Sequence, residues 1–244
     1  MTAARSFLGR LARRVGRWTA RPPIGGVSFG SLRRLDPVNR RFGLGRGTPV
    51  DRYYIERFLD SVKDGIRGRV LEVGDNAYTM RFGGARVVRS DVLHAEPGHP
   101  GATIVGDLTR SEQIPSDAYD CVICTQTLPF IYEVREAVRT LYRILKPGGV
   151  LLATVPGISQ ISRYDMERWG DYWRFTTLST RRLILEHFPD SAIEIRAHGN
   201  VLASVAFLHG LAAEELTQPE LDHADPDFET LITVRATKPG APRA

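Results

Sequence analysis

Three carboxylates stand in step in the first half of the chain: Glu72 in VLEVGD, Asp91 in RSDVLH and Asp107 in VGDL. Each lies in or just after a short apolar, β-branched run of the kind that forms a buried strand. Asp91 comes 19 residues after Glu72, and Asp107 follows 16 residues later. Carboxylates at the carboxyl ends of neighbouring parallel strands can accept hydrogen bonds from a bound nucleoside. At this spacing Asp91 is expected against ribose hydroxyls and Asp107 against an adenine amino group. Taken singly, each acid reads more readily as a helix cap or a solvated turn residue than as a ligand group; the succession carries the inference.

The loop after the first strand narrows the choice of nucleoside. Gly74 closes VLEV, but Asp75, Asn76, Ala77 and Tyr78 follow where a dinucleotide loop carries further glycines. A pyrophosphate needs close backbone approach at a helix N-terminus, hence G-x-G-x-x-G. No G-x-x-x-x-G-K-[ST] phosphate loop is present either. S-adenosylmethionine carries no phosphate, so its loop needs the first sharp turn more than the later close approach. Asp75 and Asn76 can supply that turn, because they tolerate left-handed backbone that costs other residues ~1–2 kcal/mol. The missing glycines therefore weigh against a dinucleotide more than against a sulfonium nucleoside.

The flanking elements must place these groups. A helix is expected from Thr48-Pro49-Val50-Asp51, with Thr48 as N-cap and Ile55, Phe58, Leu59 and Val62 on its buried face; Gly65 and Gly68 end it. Strands are expected over 70–73, 86–90, 103–105, 119–124, 150–155, 193–197 and 231–236, the second delivering Asp91 to its carboxyl end. Val134, Val138, Leu141 and Leu145 make a helical stripe closed by Lys146-Pro147-Gly148-Gly149. Further helices are expected from a cap at Ser179 and near 201–216. This alternation implies an α/β fold, a doubly wound, mostly parallel seven-stranded sheet. Its ligand belongs beyond the carboxyl ends of the strands, where strand order reverses.

Composition bounds the rest. At 244 residues, 42% hydrophobic and 25% charged, the chain suits one globular domain with short additions. No apolar run approaches the ~18 residues of a membrane span. Cys121 and Cys124 share one strand pattern on opposite faces, so neither a disulfide nor a metal site is expected, and a reduced, cytoplasmic protein is. The net charge of +5 is uneven: residues 1–35 hold eight arginines and no acid, leaving 25 basic against 28 acidic residues in the rest. Phe7, Leu11, Val15 and Trp18 recur at helical spacing among those arginines. Residues 1–35 thus read as a basic arm and linker, either a solvated extension or an amphipathic helix for an anionic inner membrane face or a partner. Arginines interrupt its apolar run and no clear small-residue cleavage site follows, so it does not read as a signal peptide. Residues 36–244 form the single domain.

The segments LEVGD, SDVLH, GDL, YDCVICTQTLPF and YRILKPGGVLLATVP, in this order, resemble class I S-adenosylmethionine-dependent methyltransferases of the small-molecule type, over about Asp51 to Val155. RYYIERFL and WGDYWRFTT add a resemblance to bacterial methyltransferases (type 11-like) found with glycosyltransferase or polysaccharide genes. The resemblance implies the Rossmann-like fold of that class, with Glu72 and Gly74 on the methionine side, joined by Asp75 and Asn76 of the same loop. It places Asp91 at the ribose, Asp107 and Leu108 at the adenine, and Thr125 and Gln126 along the pocket beyond the fourth strand. The departure from the family motif E/D-x-G-x-G-x-G is Asn76 and Tyr78 at its second and third glycines.

The acceptor region is expected in Trp169-Gly170-Asp171-Tyr172-Trp173-Arg174. Trp169 and Tyr172 can stack on sugar or aromatic rings, and Arg174 can pair with a carboxylate or phosphate. Trp173 and Phe175 read equally as anchors of the loop to the core. Were the acceptor a hydroxyl, Asp171 is the favoured general base. The acceptor class is a small molecule or glycan methylated on O or N. The tetrapeptide D/N-P-P-Y/F of nucleic-acid amino methylation and a Pro-Cys nucleophile are both missing after the fourth strand, so nucleic acid is disfavoured. A catalytically silent nucleotide-binding or assembly module is the competing expectation. Oligomeric state is not legible.

Overall fold

A computed structural model describes residues 22–240. The helix expected on Phe7, Leu11, Val15 and Trp18 lies outside the described residues. These divide into a unit ending at Pro37 and a second from Val38 onward. In the first, a single 3-10 turn spans Gly30–Leu32. The second carries the sheet.

Helix α1 runs over Val50–Ser61 and buries Tyr54, Ile55, Phe58 and Leu59. Thr48 does not cap it: Pro49 is the cap residue, and the Thr48 hydroxyl donates to Glu214 at 2.6 Å while the same carboxylate accepts from Thr48 N at 2.9 Å. A distant carboxylate has taken the donors that a local cap would have organised.

The strands are β1 (Gly68–Val73), β2 (Val87–His94), β3 (Ile104–Val105), β4 (Tyr119–Thr125), β5 (Leu145–Pro156), β6 (Ile193–His198) and β7 (Leu231–Thr237). They form one seven-stranded sheet in the order β3-β2-β1-β4-β5-β7-β6, parallel except that β7 runs antiparallel to both neighbours. This is the doubly wound sheet expected from the sequence. Helices α2 (Val134–Ile144), α3 (Arg163–Met166), α4 (Thr177–Leu185), α5 (Val201–Leu208) and α6 (Gln218–Asp222) complete the second unit. No helix among the described residues is long and apolar enough to cross a membrane.

Each face of the sheet buries its own core. Leu71, Val122 and Leu151 pack with Val138 and Leu141 of α2; Val70, Ile123 and Leu152 pack with Ile55 and Leu59 of α1 and Phe207 of α5. Cys121 and Cys124 fall in opposite cores, as strand alternation requires.

Three boundaries depart from expectation. Leu145 begins β5 directly after α2, and Lys146 to Gly149 sit in a register jump between the Tyr119–Leu145 and Cys121–Val150 pairs rather than in a helix cap. Thr176, not Ser179, caps α4; Ser179 N donates to the Thr176 hydroxyl and Thr176 N to the Ser179 hydroxyl, a reciprocal cap. The helix expected over 201–216 stops at Leu208, because Gly210 turns left-handed (φ +67°) against the Asn39 carbonyl.

Candidate functional site

Strand order reverses between β1 and β4, which makes the carboxyl tips of these strands and of β2 and β3 the candidate site. At the end of β1, Gly74 turns left-handed (φ +99°) and donates its N–H to Leu93 O at 2.9 Å. A side chain there would meet nothing within 4 Å, so glycine is required by the turn and not by crowding. Asp75 and Asn76 do not adopt left-handed backbone; Gly74 alone makes the turn. Asp75 instead accepts from Ala77 N at 2.9 Å, a local side-chain turn, and Asn76 donates to the Ser90 hydroxyl at 3.3 Å.

Tyr78, at the position of the third family glycine, is turned into the core beside Phe82, with its hydroxyl accepting from Arg52 at 2.9 Å. Glu72 is 2% exposed and secures the loop from beneath. Its carboxylate accepts from Thr79 N and the Thr79 hydroxyl, both at 2.7 Å, and from Tyr78 N at 3.3 Å. Burial pushes its pKa up to about 7, against those donors. A carboxyl raised on folding stabilises the fold below its unfolded pKa and loses that contribution as pH climbs through the folded value. Glu72→Gln is therefore expected to gain about 2–3 kcal/mol over the wild type at pH 8 and almost nothing at pH 4. Urea midpoints at the two pH values check this, and a gain independent of pH counts against it.

Asp91 requires a correction. Strand β2 continues three residues past it, and Asp91 pairs with Leu71 inside the sheet. It is 1% exposed and fully engaged: Arg69 approaches one oxygen at 2.7 Å, Arg89 the other at 3.1 Å, and the Tyr119 hydroxyl donates at 3.1 Å. Burial pushes its pKa up, but the hydrogen bonds from Arg69 and Arg89 outweigh this and hold it below the usual carboxylate range. It is a structural ion-pair hub. The residue at the tip of β2 is His94.

Asp107 does reach the tip of β3 and is exposed, accepting from Thr109 N at 2.8 Å. It borders a groove of about 600 Å³ shared with Glu133 and Arg143. Leu108 turns inward to the core. At the tip of β4, Thr125 is half-buried and Gln126 adopts left-handed backbone (φ +50°), with its N–H on Thr154 O at 2.9 Å. Strain in a non-glycine residue concentrates at functional sites, and here it falls at the strand-order reversal.

Residues 157–175, after β5, bridge several of the tips. Tyr172 N donates to Pro129 O at 2.9 Å and the Trp173 ring N–H to Ile131 O at 3.0 Å, both beyond β4. Trp169 reaches the tip of β2, its ring edge-on to His94 at 5.9 Å. An internal ion pair shapes this segment. The Asp171 side chain is 1% exposed; its oxygens take hydrogen bonds from Arg174 at 2.6 and 3.0 Å and from Ser162 N at 2.9 Å. Burial raises its pKa, and the Arg174 guanidinium overrides that and holds it below the usual range. Asp171 is thus engaged by Arg174 and Ser162 N inside the loop, and Arg174 is held there too, with a further bond to Gln160 O at 2.6 Å. Phe175 anchors the segment in the core.

Exposed rings cluster here: Tyr172 is 49% exposed, and the Tyr132 ring lies 5.4 Å from Tyr172 and 5.8 Å from Trp173. Tyr132 and His94 were not singled out from the sequence. Tyr132 lies just past Leu-Pro-Phe after β4, where a count along the strand tip could have found it. His94 needed the true length of β2.

Residues 76–153 match a family model described as a methyltransferase domain. No curated protein matches the chain. Among solved structures, the chain is 15% identical to the N-methyltransferase NodS from Bradyrhizobium japonicum WM9, crystallised with S-adenosyl-L-homocysteine, over 79% of this chain and 89% of that one (TM-score 0.50). It is 11% identical to a SAM-dependent methyltransferase from Archaeoglobus fulgidus, over 76% and 94% of the two chains (TM-score 0.51). Both similarities are of fold.

Proposed function

We propose that this chain, a class I methyltransferase by its fold and by the domain matched over residues 76–153, binds S-adenosyl-L-methionine at the β1–β4 crevice and methylates an acceptor held beside residues 157–175. One observation supports this most directly: the left-handed Gly74 turn at the strand-order reversal, with open space where a Cβ would stand, bridged by the segment that runs from the β4 loop to the β2 tip. When bound, the cofactor supplies an electrophilic methyl group on a sulfonium.

The protein's part is placement. Gly74 and the Asp75 turn give the backbone bend beside the methionine end, and Asp107 presents a free carboxylate oxygen at the adenine end. Thr125 and Gln126 line the crevice between them. Holding donor and acceptor in line and excluding water can contribute ~7–11 kcal/mol to such a transfer. The acceptor we propose is a small molecule or glycan with a nucleophilic oxygen or nitrogen, since Tyr132 and Tyr172 offer stacking faces for a sugar or aromatic ring. In this reading the arginine arm of residues 1–35 meets an anionic membrane face; vesicle flotation with and without it is the check.

Calorimetry with S-adenosylmethionine and S-adenosylhomocysteine tests the core of the proposal. Saturable binding of both is expected, and an absence of binding to either removes it. Binding without methyl transfer to any sugar nucleotide, glycan fragment or small amine would instead support a silent module.

A further inference from the structure

We propose that helix α5, with the loop before α1, forms a face that docks on an anionic lipid bilayer, a contact separate from the one proposed above for the arm. The make-up of the helix is the first observation. Val201–Leu208 reads VLASVAFL, and its one polar side chain, Ser204, is buried and bonded to the Thr230 hydroxyl at 2.7 Å. Ala203, Ala206 and Phe207 join Ser204 on the inner side. Val201, Leu202 and Leu208 stand outward at 52, 45 and 40% exposure, with Val205 half-buried on the same arc. A helix that is apolar all round is ordinarily buried on every side. Among the described residues, nothing covers the outer side of this one.

The surroundings extend the patch. Asn39 N donates to His209 O at 3.1 Å and Asn39 Nδ2 to Leu44 O at 3.2 Å, which brings residues 39–44 to the C-terminal end of α5. Leu44 is exposed there, as are Arg40 and Arg41. Gln160 Nε2 donates to Arg40 O at 2.9 Å, so the exposed Ile161 borders the same loop. Exposed apolar side chains that adjoin in this way mark contact surfaces, whereas scattered ones need no explanation. The Gln160 bond also ties this face to residues 157–175, beside which the acceptor is proposed to sit.

Charge selects the occupant. Residues 1–35 hold eight arginines and no acid, and their chain enters the second unit at Val38, whose N–H donates to His209 O at 2.9 Å. The basic arm is therefore tethered at the C-terminal end of α5, where Arg40 and Arg41 already stand. A second copy set on this face by a two-fold axis would bring two such arms together, and like charge opposes that. An anionic bilayer takes both features, apolar side chains among the headgroups and arginines against the phosphates. The acids Asp225 and Asp227 lie at the other end of the helix, where Asp225 N donates to Gly199 O at 2.9 Å, so the basic end meets the lipid most closely.

The test is flotation of the full chain with vesicles of phosphatidylglycerol and phosphatidylcholine, against vesicles of phosphatidylcholine alone. The wild type is expected to float with the anionic vesicles only. Leu202→Glu combined with Leu208→Glu is expected to weaken that binding about tenfold or more. Equal flotation by a double variant that melts like the wild type overturns the α5 face and leaves the arm contact standing. A wild type that does not float overturns both. Leu208→Cys carrying a polarity-sensitive dye gives a second measurement, since Cys121 and Cys124 are buried away from the label. Its emission should move to the blue on anionic vesicles. Should the double variant not fold, the absence of that shift overturns the proposal by itself. A dye already blue-shifted before vesicles are added shows the face covered by the arm or by a second copy, and overturns it as well.

Discussion

Replacing Asp91 by alanine is expected to cost the domain about 2–4 kcal/mol of stability, with little direct effect on a bound nucleoside. The carboxylate sits inside the sheet beside Leu71, with Arg69, Arg89 and the Tyr119 hydroxyl all directed at it. Removing it leaves the Arg69 guanidinium over the Tyr119 ring without its counter-charge, and leaves a buried tyrosine hydroxyl short of its acceptor. Arg69 and Arg89 keep access to solvent, so the cost comes from the lost hydrogen bonds and from the buried Tyr119 hydroxyl left without its acceptor. The pH dependence follows from the lowered pKa. Asp91 contributes stability above its unfolded pKa and loses it as pH falls through the folded value, so the penalty of the substitution should shrink in strong acid. Urea unfolding at pH 7 and pH 3 measures both. A variant as stable as the wild type, yet tenfold weaker for S-adenosylhomocysteine, would return Asp91 to the ribose.

The second large effect separates a latch from a base. Asp171→Ala deletes the acceptor of two guanidinium bonds and one backbone bond, leaving Arg174 partly buried and Ser162 N unpaired. A loss of roughly 2–4 kcal/mol is expected, concentrated in residues 157–175. Methyl transfer should fall at least a hundredfold, because misplaced acceptor groups forfeit the benefit of orientation. Asp171→Asn keeps an oxygen for Arg174 or for Ser162 N and should retain much of both the activity and the resistance of this segment to proteolysis. A general base makes the opposite forecast: alanine and asparagine variants equally inactive, by ~10²–10⁴-fold, on an intact loop. Rates and limited proteolysis of the two variants decide between them.

The alternation of strands and helices and the mostly parallel sheet were legible along the chain, as was the strand-end region where a candidate site belongs. These follow from signals read along the chain: apolar periodicity, Gly74 after a buried strand, and acids near strand ends. What the sequence misassigned were residues whose roles depend on partners distant in sequence. Thr48 lost its capping role to Glu214, and Lys146 to Gly149 became a strand irregularity once Tyr119 paired with Leu145. Asp171 is a different case: its partners are near in sequence, Arg174 three residues on and Ser162 nine back, but only the folded loop turns both onto its carboxylate.

Asp91 and His94 show the reason most plainly. Counting residues from Glu72 assumes a second strand that ends at its fifth residue, but β2 runs eight residues, Val87–His94, after a connection built from one π-type turn (Thr79–Gly83) and a 3-10 turn (Gly84–Arg86). The longer strand places its tip 22 residues after Glu72, three beyond Asp91. Composition and periodicity establish that a strand exists; only pairing with its neighbours decides where it ends, because each rung is held by hydrogen bonds to another segment of chain. Tertiary register alone therefore decided which residue, the acid or the histidine, stands at the strand tip.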